Sequence, residues 1–298
     1  LSWEDFHPET QPAEQQLNFL KAGIVNADAI TTVSPTYRDE LRYEYYAKNL
    51  THPLARRERD FYGILNGISS KHRPRKDPLI LSNYDMNDIF PKTENKLFLQ
   101  KKMKLPMGVR HFVVTMVGRI TEQKGFDILI PAMDAFLSSS ERIQFVLLGS
   151  GDKTYTEKLK ALREAHPKQV RLNIGYDSAV PNYLYAGGDL FLMPSRVEPC
   201  GLSQMIAMRY GTLPLVHKTG GLADSVEGYD PILRSGTGFV FENFDRESLE
   251  TTLKTAYHVY TEAGDVWKSM VKAAMQTDFS LDTQAQKMLE IYQTLFNE

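Results

Sequence analysis

The chain has 298 residues, 42% hydrophobic and 24% charged, an ordinary soluble composition with length for one large or two ordinary domains. Its 35 basic and 37 acidic residues leave a net charge of −2, which argues against a broad basic surface for nucleic acid, and its one cysteine rules out an internal disulfide and fits a reducing cytoplasm. No apolar run approaches the roughly 20 residues of a membrane span, and the acidic opening Leu1-Ser2-Trp3-Glu4-Asp5 does not read as a signal peptide.

The chain opens without methionine on turn-rich sequence, which reads as the tail of something longer. An amphipathic helix is expected from Gln15 to Asn26, then a strand over Ala29-Ile30-Thr31-Thr32-Val33-Ser34 and a helix from Thr36 to Leu41. Ile64-Leu65-Asn66-Gly67-Ile68 reads as a short strand meeting an Asn-Gly turn. The segment from Ser70 to Thr93, rich in Pro, Asp, Asn and Lys, reads as a linker. These elements are too few for an independent two-layer domain.

From about Arg110 the pattern changes. Phe112 to Val117 reads as a strand, Gly118 to Gly125 as a loop, and Phe126 to Met133 as the start of a helix. Gln144 to Leu148 is the next strand, followed by a charged helix from Lys153 to Ala165. Val170 to Ile174, Asp189 to Met193 and Leu213 to Val216 are further strands, and Gly238 to Phe241 is a late edge strand. Three helical stretches finish the chain, the last from about Asp282 to Phe296. Apolar strands separated by helices of about 10–15 residues indicate βαβ units and a parallel, doubly wound α/β sheet.

Open parallel sheets bind ligands at the carboxyl ends of their strands, so the loops there are the candidate chemistry. Arg196-Val197-Glu198-Pro199-Cys200-Gly201-Leu202-Ser203-Gln204 follows a strand and opens a helix. It brings a carboxylate and free backbone N–H groups to that edge, suited to a hydroxylated group and a phosphate. Gly118-Arg119-Ile120-Thr121-Glu122-Gln123-Lys124-Gly125 brings two cations suited to phosphate oxygens; a solvated loop is the bland alternative. It lacks the G-x-G-x-x-G pattern of NAD binding. Gly149-Ser150-Gly151-Asp152 reads as a plain strand-to-helix turn capped by Asp152. Tyr176 is placed to stack on a base or simply to be half-buried. Thr219-Gly220-Gly221-Leu222 permits close backbone approach to a ligand, or is a tight turn. Cys200 reads as a packed small residue, and the seven histidines show no metal spacing.

Taken together, these segments resemble bacterial glycogen synthases and plant starch synthases, a family of retaining glucosyltransferases. The matching stretches are Asn18 to Val25, Thr31 to Tyr37, Gly63 to Gly67, Gly118 to Asp127, Pro194 to Gln204 and Thr219 to Asp224. Their order holds from about Asn18 to Phe279. The resemblance implies a GT-B type fold with the active site between two doubly wound domains. It divides the chain into a remnant of the N-terminal domain and linker (1–95), a nucleotide-sugar-binding Rossmann-like domain (96–278), and a last helix (279–298) returning towards the N-terminal domain. It also implies that the family's opening strand, its Lys-Thr-Gly-Gly-Leu loop and a sugar-contacting histidine are not in this chain.

The activity implied is glucose transfer from ADP-glucose to the non-reducing end of an α-1,4-glucan, in the cytoplasm, with no cofactor, no metal and no protein nucleophile. In that reading Arg119, Lys124 and the Gly201 and Leu202 amides stabilise the leaving diphosphate, and Glu198 faces the glucose. Tyr176 stacks on adenine, Asn66 is placed to reach sugar or diphosphate, and Cys200, Thr219 and Gly220 line the donor. The departures are Ser69 where the family has Asp, a tryptophan missing shortly after it, His217 for a frequent arginine, and Ile206 for a polar group. With the missing half-domain they favour, as an alternative, a nucleotide- or glucan-binding fragment without turnover; a related transferase with another nucleotide-sugar donor is a further alternative, against which Cys200 and Gln204 count. On the cleft being incomplete, the chain alone is expected to transfer glucose poorly or not at all.

Overall fold

The computed structural model describes residues 18–175 and 180–297. Asn18 accepts from the Lys21 amide and so caps α1 (Phe19–Asn26). After β1 (Ile30–Thr32), Ser34 caps α2 (Pro35–Glu40) by accepting from the Tyr37 amide, with Pro35 in the first turn. Two short helices, α3 (Glu44–Ala47) and α4 (Thr51–Arg56), precede β2 (Phe61–Gly63), which pairs in parallel with β1. A small cluster of Ile24, Ala47, Leu54 and Phe61 holds this part together. The strand lies three residues earlier than its Asn-Gly turn suggested. The stretch from 64 to 67 instead belongs to no regular element, and Ile68 is bridged to Ser280.

The linker has little regular structure until α5 (Lys92–Lys102), a helix that crosses the boundary expected near residue 95. The main sheet follows: β3 (Phe112–Ile120), α6 (Phe126–Ser138), β4 (Ile143–Gly151), α7 (Lys153–Ala165), β5 (Val170–Ile174), α8 (Val180–Gly187), β6 (Leu190–Met193), α9 (Ser203–Arg209), β7 (Leu213–His217), α10 (Gly220–Ser225) and β8 (Phe239–Phe241). Three helices close the chain, α11 (Arg246–Glu262), α12 (Gly264–Gln276) and α13 (Leu281–Asn297). As its sequence indicated, Asp152 accepts from the Thr154 and Tyr155 amides at the head of α7.

All six strands are parallel, in the order β5-β4-β3-β6-β7-β8. Alternation along β3 sends Phe112, Val114 and Met116 into one buried cluster with Phe136, Leu253 and Trp267 of the covering helices. Val113 goes to the opposite face, against Leu99, Val146, Leu148 and Leu184. A sheet buried on both faces explains why its strands read as unbroken apolar runs. The strand order turns back at the β3–β6 pair. That reversal opens a crevice at the carboxyl ends of those two strands.

Candidate functional site

The loops leaving β3 and β6 meet at that crevice. Gly125 ends the β3 loop with φ +79, and a Cβ there would sit 1.9 Å from the Pro194 carbonyl oxygen, so only glycine lets the two loops approach this closely. The Arg196 amide donates to the Gln123 carbonyl at 2.9 Å, and Gln123 Nε2 donates to the Val197 carbonyl at 3.2 Å. Arg196 is itself fixed by Asp127 at 2.6 Å and by the Phe244 ring. These ties set Lys124 against Glu198 across 74 residues of sequence.

Glu198 is 8% exposed. The Lys124 ammonium and the Ser195 hydroxyl (3.0 Å) both donate to its Oε2. A carboxylate this buried is tolerated when paired and hydrogen-bonded. Among the described residues its Oε1 has no hydrogen-bond partner. One oxygen is therefore held in place, and the other is available to a ligand's donor. Arg119 lies exposed near the end of β3, and its guanidinium has no hydrogen bond or ion pair among the described residues.

The N-terminal segment clamps these loops from the other side. Ser34, fully buried, donates to the Pro199 carbonyl at 2.6 Å. Glu40 Oε1 accepts from the Gly220 amide (2.9 Å) and the Thr219 hydroxyl (2.8 Å). Burial raises the Glu40 carboxyl above its ordinary value, and those two hydrogen bonds oppose the rise. Asp224 accepts from the amide and hydroxyl of Thr36. Gly220 has φ +43 and packs where a Cβ would lie 2.1 Å from the Glu198 carbonyl oxygen, and the Gly221 amide donates to that same oxygen at 3.1 Å. Glu40 is thus connected through the glycine turn to the backbone of Glu198.

The structure brings Arg119, Lys124, Glu198, Cys200, Gly201, Leu202, Thr219 and Gly220 to one edge of the sheet. Asn66 joins them from the linker: its polar groups neighbour the buried Cys200 thiol and oppose the upward push that burial gives it. Asn66 Oδ1 also accepts from Gln284 of α13 at 3.1 Å. Gly201 and Leu202 lie immediately before α9. Tyr176 lies outside the described residues. Thr219 and Gly220 direct their donors to Glu40. His217 stands behind the site, with Nδ1 2.9 Å from the Ser195 carbonyl oxygen, and burial depresses its imidazole. Ile206 is buried among apolar side chains. Sequence reasoning missed Ser195, Ser34 and Glu40. Ser34 had a visible signal as the Ser-Pro head of a helix, whereas nothing local marks Glu40. Among the described residues no His, Cys, Asp or Glu side chains are grouped to hold a metal ion.

Residues 100–268, more than half of the chain, match the family model of glycosyl transferases group 1. The chain belongs to that family. Residues 1–56 also match the starch synthase catalytic domain. The chain is 44% identical over 279 residues to the glycogen synthase of Thermotoga petrophila, covering 93% of this chain and 57% of that relative. It is 41% identical over 294 residues to the glycogen synthase of Bacillus subtilis, covering 98% of this chain and 60% of that one. The catalytic domain of starch synthase IV from Arabidopsis thaliana, bound to ADP and acarbose, superimposes with a TM-score of 0.91 at 33% identity, over 98% of this chain and 61% of the other. The expected GT-B type glycosyltransferase fold and the kinship with glycogen and starch synthases hold. The group 1 chain spans somewhat over half the length of these relatives.

Proposed function

We propose that this chain forms the nucleotide-sugar side of a glycogen synthase-type glucosyltransferase, taking glucose from ADP-glucose to the non-reducing end of an α-1,4-glucan in the cytoplasm. The observation that carries the reading is the arrangement at Glu198. One carboxylate oxygen is fixed by Lys124 and Ser195 while the other is left to accept a sugar hydroxyl, at the switch point of a parallel sheet. The free Arg119 guanidinium and the Lys124 ammonium flank the place where a leaving diphosphate gathers negative charge. Preorganised donors aimed at developing charge are a large source of rate in such transfers. The Gly201 and Leu202 amides add neutral donors on the same side. Glu198 opposes the positive charge that grows at the anomeric carbon. Likeness to a starch synthase solved with ADP and acarbose, and to enzymes named glycogen synthase, supports donor and acceptor of this chemistry. No helix among the described residues is long and apolar enough to cross a membrane.

Transfer of labelled glucose to glycogen, run in parallel with ADP-glucose and UDP-glucose, tests the proposal. The 298-residue chain alone should incorporate little or no glucose; in a protein that joins it to a facing domain, incorporation from ADP-glucose should exceed that from UDP-glucose and be lost in Glu198→Gln. Equal or greater incorporation from UDP-glucose contradicts the donor. No incorporation by the joined protein when it still binds ADP overturns glucosyl transfer and leaves nucleotide binding alone, and robust incorporation by the 298 residues alone overturns their reading as one side of the cleft.

A further inference from the structure

A pocket of about 340 Å³ opens between the linker, the end of α9 and the start of α13, lined by Ile68, Ser70, Arg73, Arg209, Ser280 and Asp282, among others. Its two walls are joined by backbone: the Ile68 amide donates to the Phe279 carbonyl at 2.8 Å, and Ile68 bridges Ser280. Among the described residues neither the Arg73 nor the Arg209 guanidinium has a hydrogen bond or ion pair, and the Ser70 hydroxyl has no partner. Arg209 is half-buried, and burial lowers its proton affinity, with Arg73 adding to that effect and Asp278 opposing it. The neighbouring His72 imidazole is depressed in the same way, first by burial and then by Arg209. The neighbouring Asp278 carboxylate is largely committed, because it accepts from the Ser280 amide and the Thr283 hydroxyl. Two guanidiniums and a hydroxyl thus line one cavity with a single carboxylate, Asp282, that forms an ion pair with neither arginine, which leaves the cavity with an excess of cationic donors.

We propose that this pocket binds a small phosphate ester, whose phosphate lies between Arg73 and Arg209 and takes a hydrogen bond from Ser70. Guanidinium forks match phosphate oxygens in geometry as well as charge. The volume exceeds what phosphate alone requires, leaving room for its substituent. Asp282 faces the same space and repels the ligand, which limits affinity. Such a ligand would tie the linker to the last helix at their crossing, next to the Gln284 side chain that holds Asn66 and Gly67. No residue of the donor site lines this pocket.

Calorimetric titration of the full chain with glycerol 3-phosphate tests the site, with inorganic phosphate as the minimal probe and glycerol as the neutral control. An Arg119→Ala background weakens phosphate binding at the donor site, and only a loss caused by the pocket's own substitutions is read as binding in the pocket. In that background, binding of glycerol 3-phosphate should persist, fall at least tenfold in Arg73→Gln and in Arg209→Gln, and strengthen in Asp282→Asn. Arg73 is exposed, so its variant should keep the wild-type unfolding midpoint and remain informative even if Arg209→Gln does not fold. Absence of binding at millimolar ligand, affinity unchanged by both arginine substitutions, or heat equal to that with glycerol overturns the proposal.

Discussion

At Glu198 the main stabilising partner is a lysine that the chain reaches only by folding. Removing the Lys124 ammonium strands a carboxylate whose side chain is 11% exposed, while Lys124 itself is 18% exposed. Breaking a fully buried pair costs about 3–5 kcal/mol; with this much solvent access, Lys124→Ala should cost on the order of 2–3 kcal/mol. Urea unfolding of the two proteins measures it, and equal midpoints would contradict the pairing. Lys92 offers a second test. Its ammonium donates to the Tyr185 and Ala186 carbonyls and to the Thr212 hydroxyl, and burial pushes it down from 10.5 to about 7. Between those two values the unfolded chain holds more protons at Lys92 than the folded chain, so this group adds stability as pH rises through that window. The urea midpoint measured from pH 7 to pH 9 should therefore rise more in the wild type than in Lys92→Met. The same slope in both would contradict the shift. Arg119, Lys124 and Glu198 were legible in the sequence because each lies in a loop whose flanking strand and helix have clear periods. Their contacts were not, since the Lys124–Glu198 and Ser34–Pro199 pairings span 74 and 165 residues.

Among the elements, α2 and the turn before α10 decide how the site loop is held. Glu40→Ala leaves the Gly220 amide and the Thr219 hydroxyl, the latter residue 1% exposed, without their acceptor. An unsatisfied buried donor costs about 1–3 kcal/mol, so this variant should lose on the order of 2–4 kcal/mol. Glu40→Gln keeps a carbonyl oxygen for both donors and should lose far less. Matching losses for the two variants in chemical unfolding would refute the role given to that oxygen. The strands after Phe112 were legible from apolar runs of strand length set between helices, and Lys153–Ala165 and Val170–Ile174 form where periodicity placed them. Phe61–Gly63 was missed because Asn66-Gly67 looked like the turn ending a strand. That Gly67 instead packs against Ser280, where a Cβ would meet its carbonyl oxygen at 2.5 Å. Helix α5 was hidden because its apolar face is short, with Asn95, Lys96 and Gln100 buried through specific partners rather than hydrophobicity.

For the whole molecule, the doubly wound architecture and its switch point followed from alternation of strands and helices, and the departures from the family pattern fall into two kinds. Ile206 and His217 are absorbed by packing around the site. Ser69, by contrast, lies in the linker beside the pocket of Arg73 and Arg209, where no carboxylate pairs with either guanidinium among the described residues. At the proposed donor site a free cation, a held carboxylate and glycine turns share one edge of the sheet. The most direct measurement of this account is calorimetric titration of ADP into the purified chain and its Arg119→Ala variant. Arg119 is exposed and makes no contact that the fold needs, so the variant should unfold at the wild-type midpoint and bind ADP at least tenfold more weakly. Equal affinity of the two proteins for ADP would contradict the assignment of this edge of the sheet to a nucleotide-sugar.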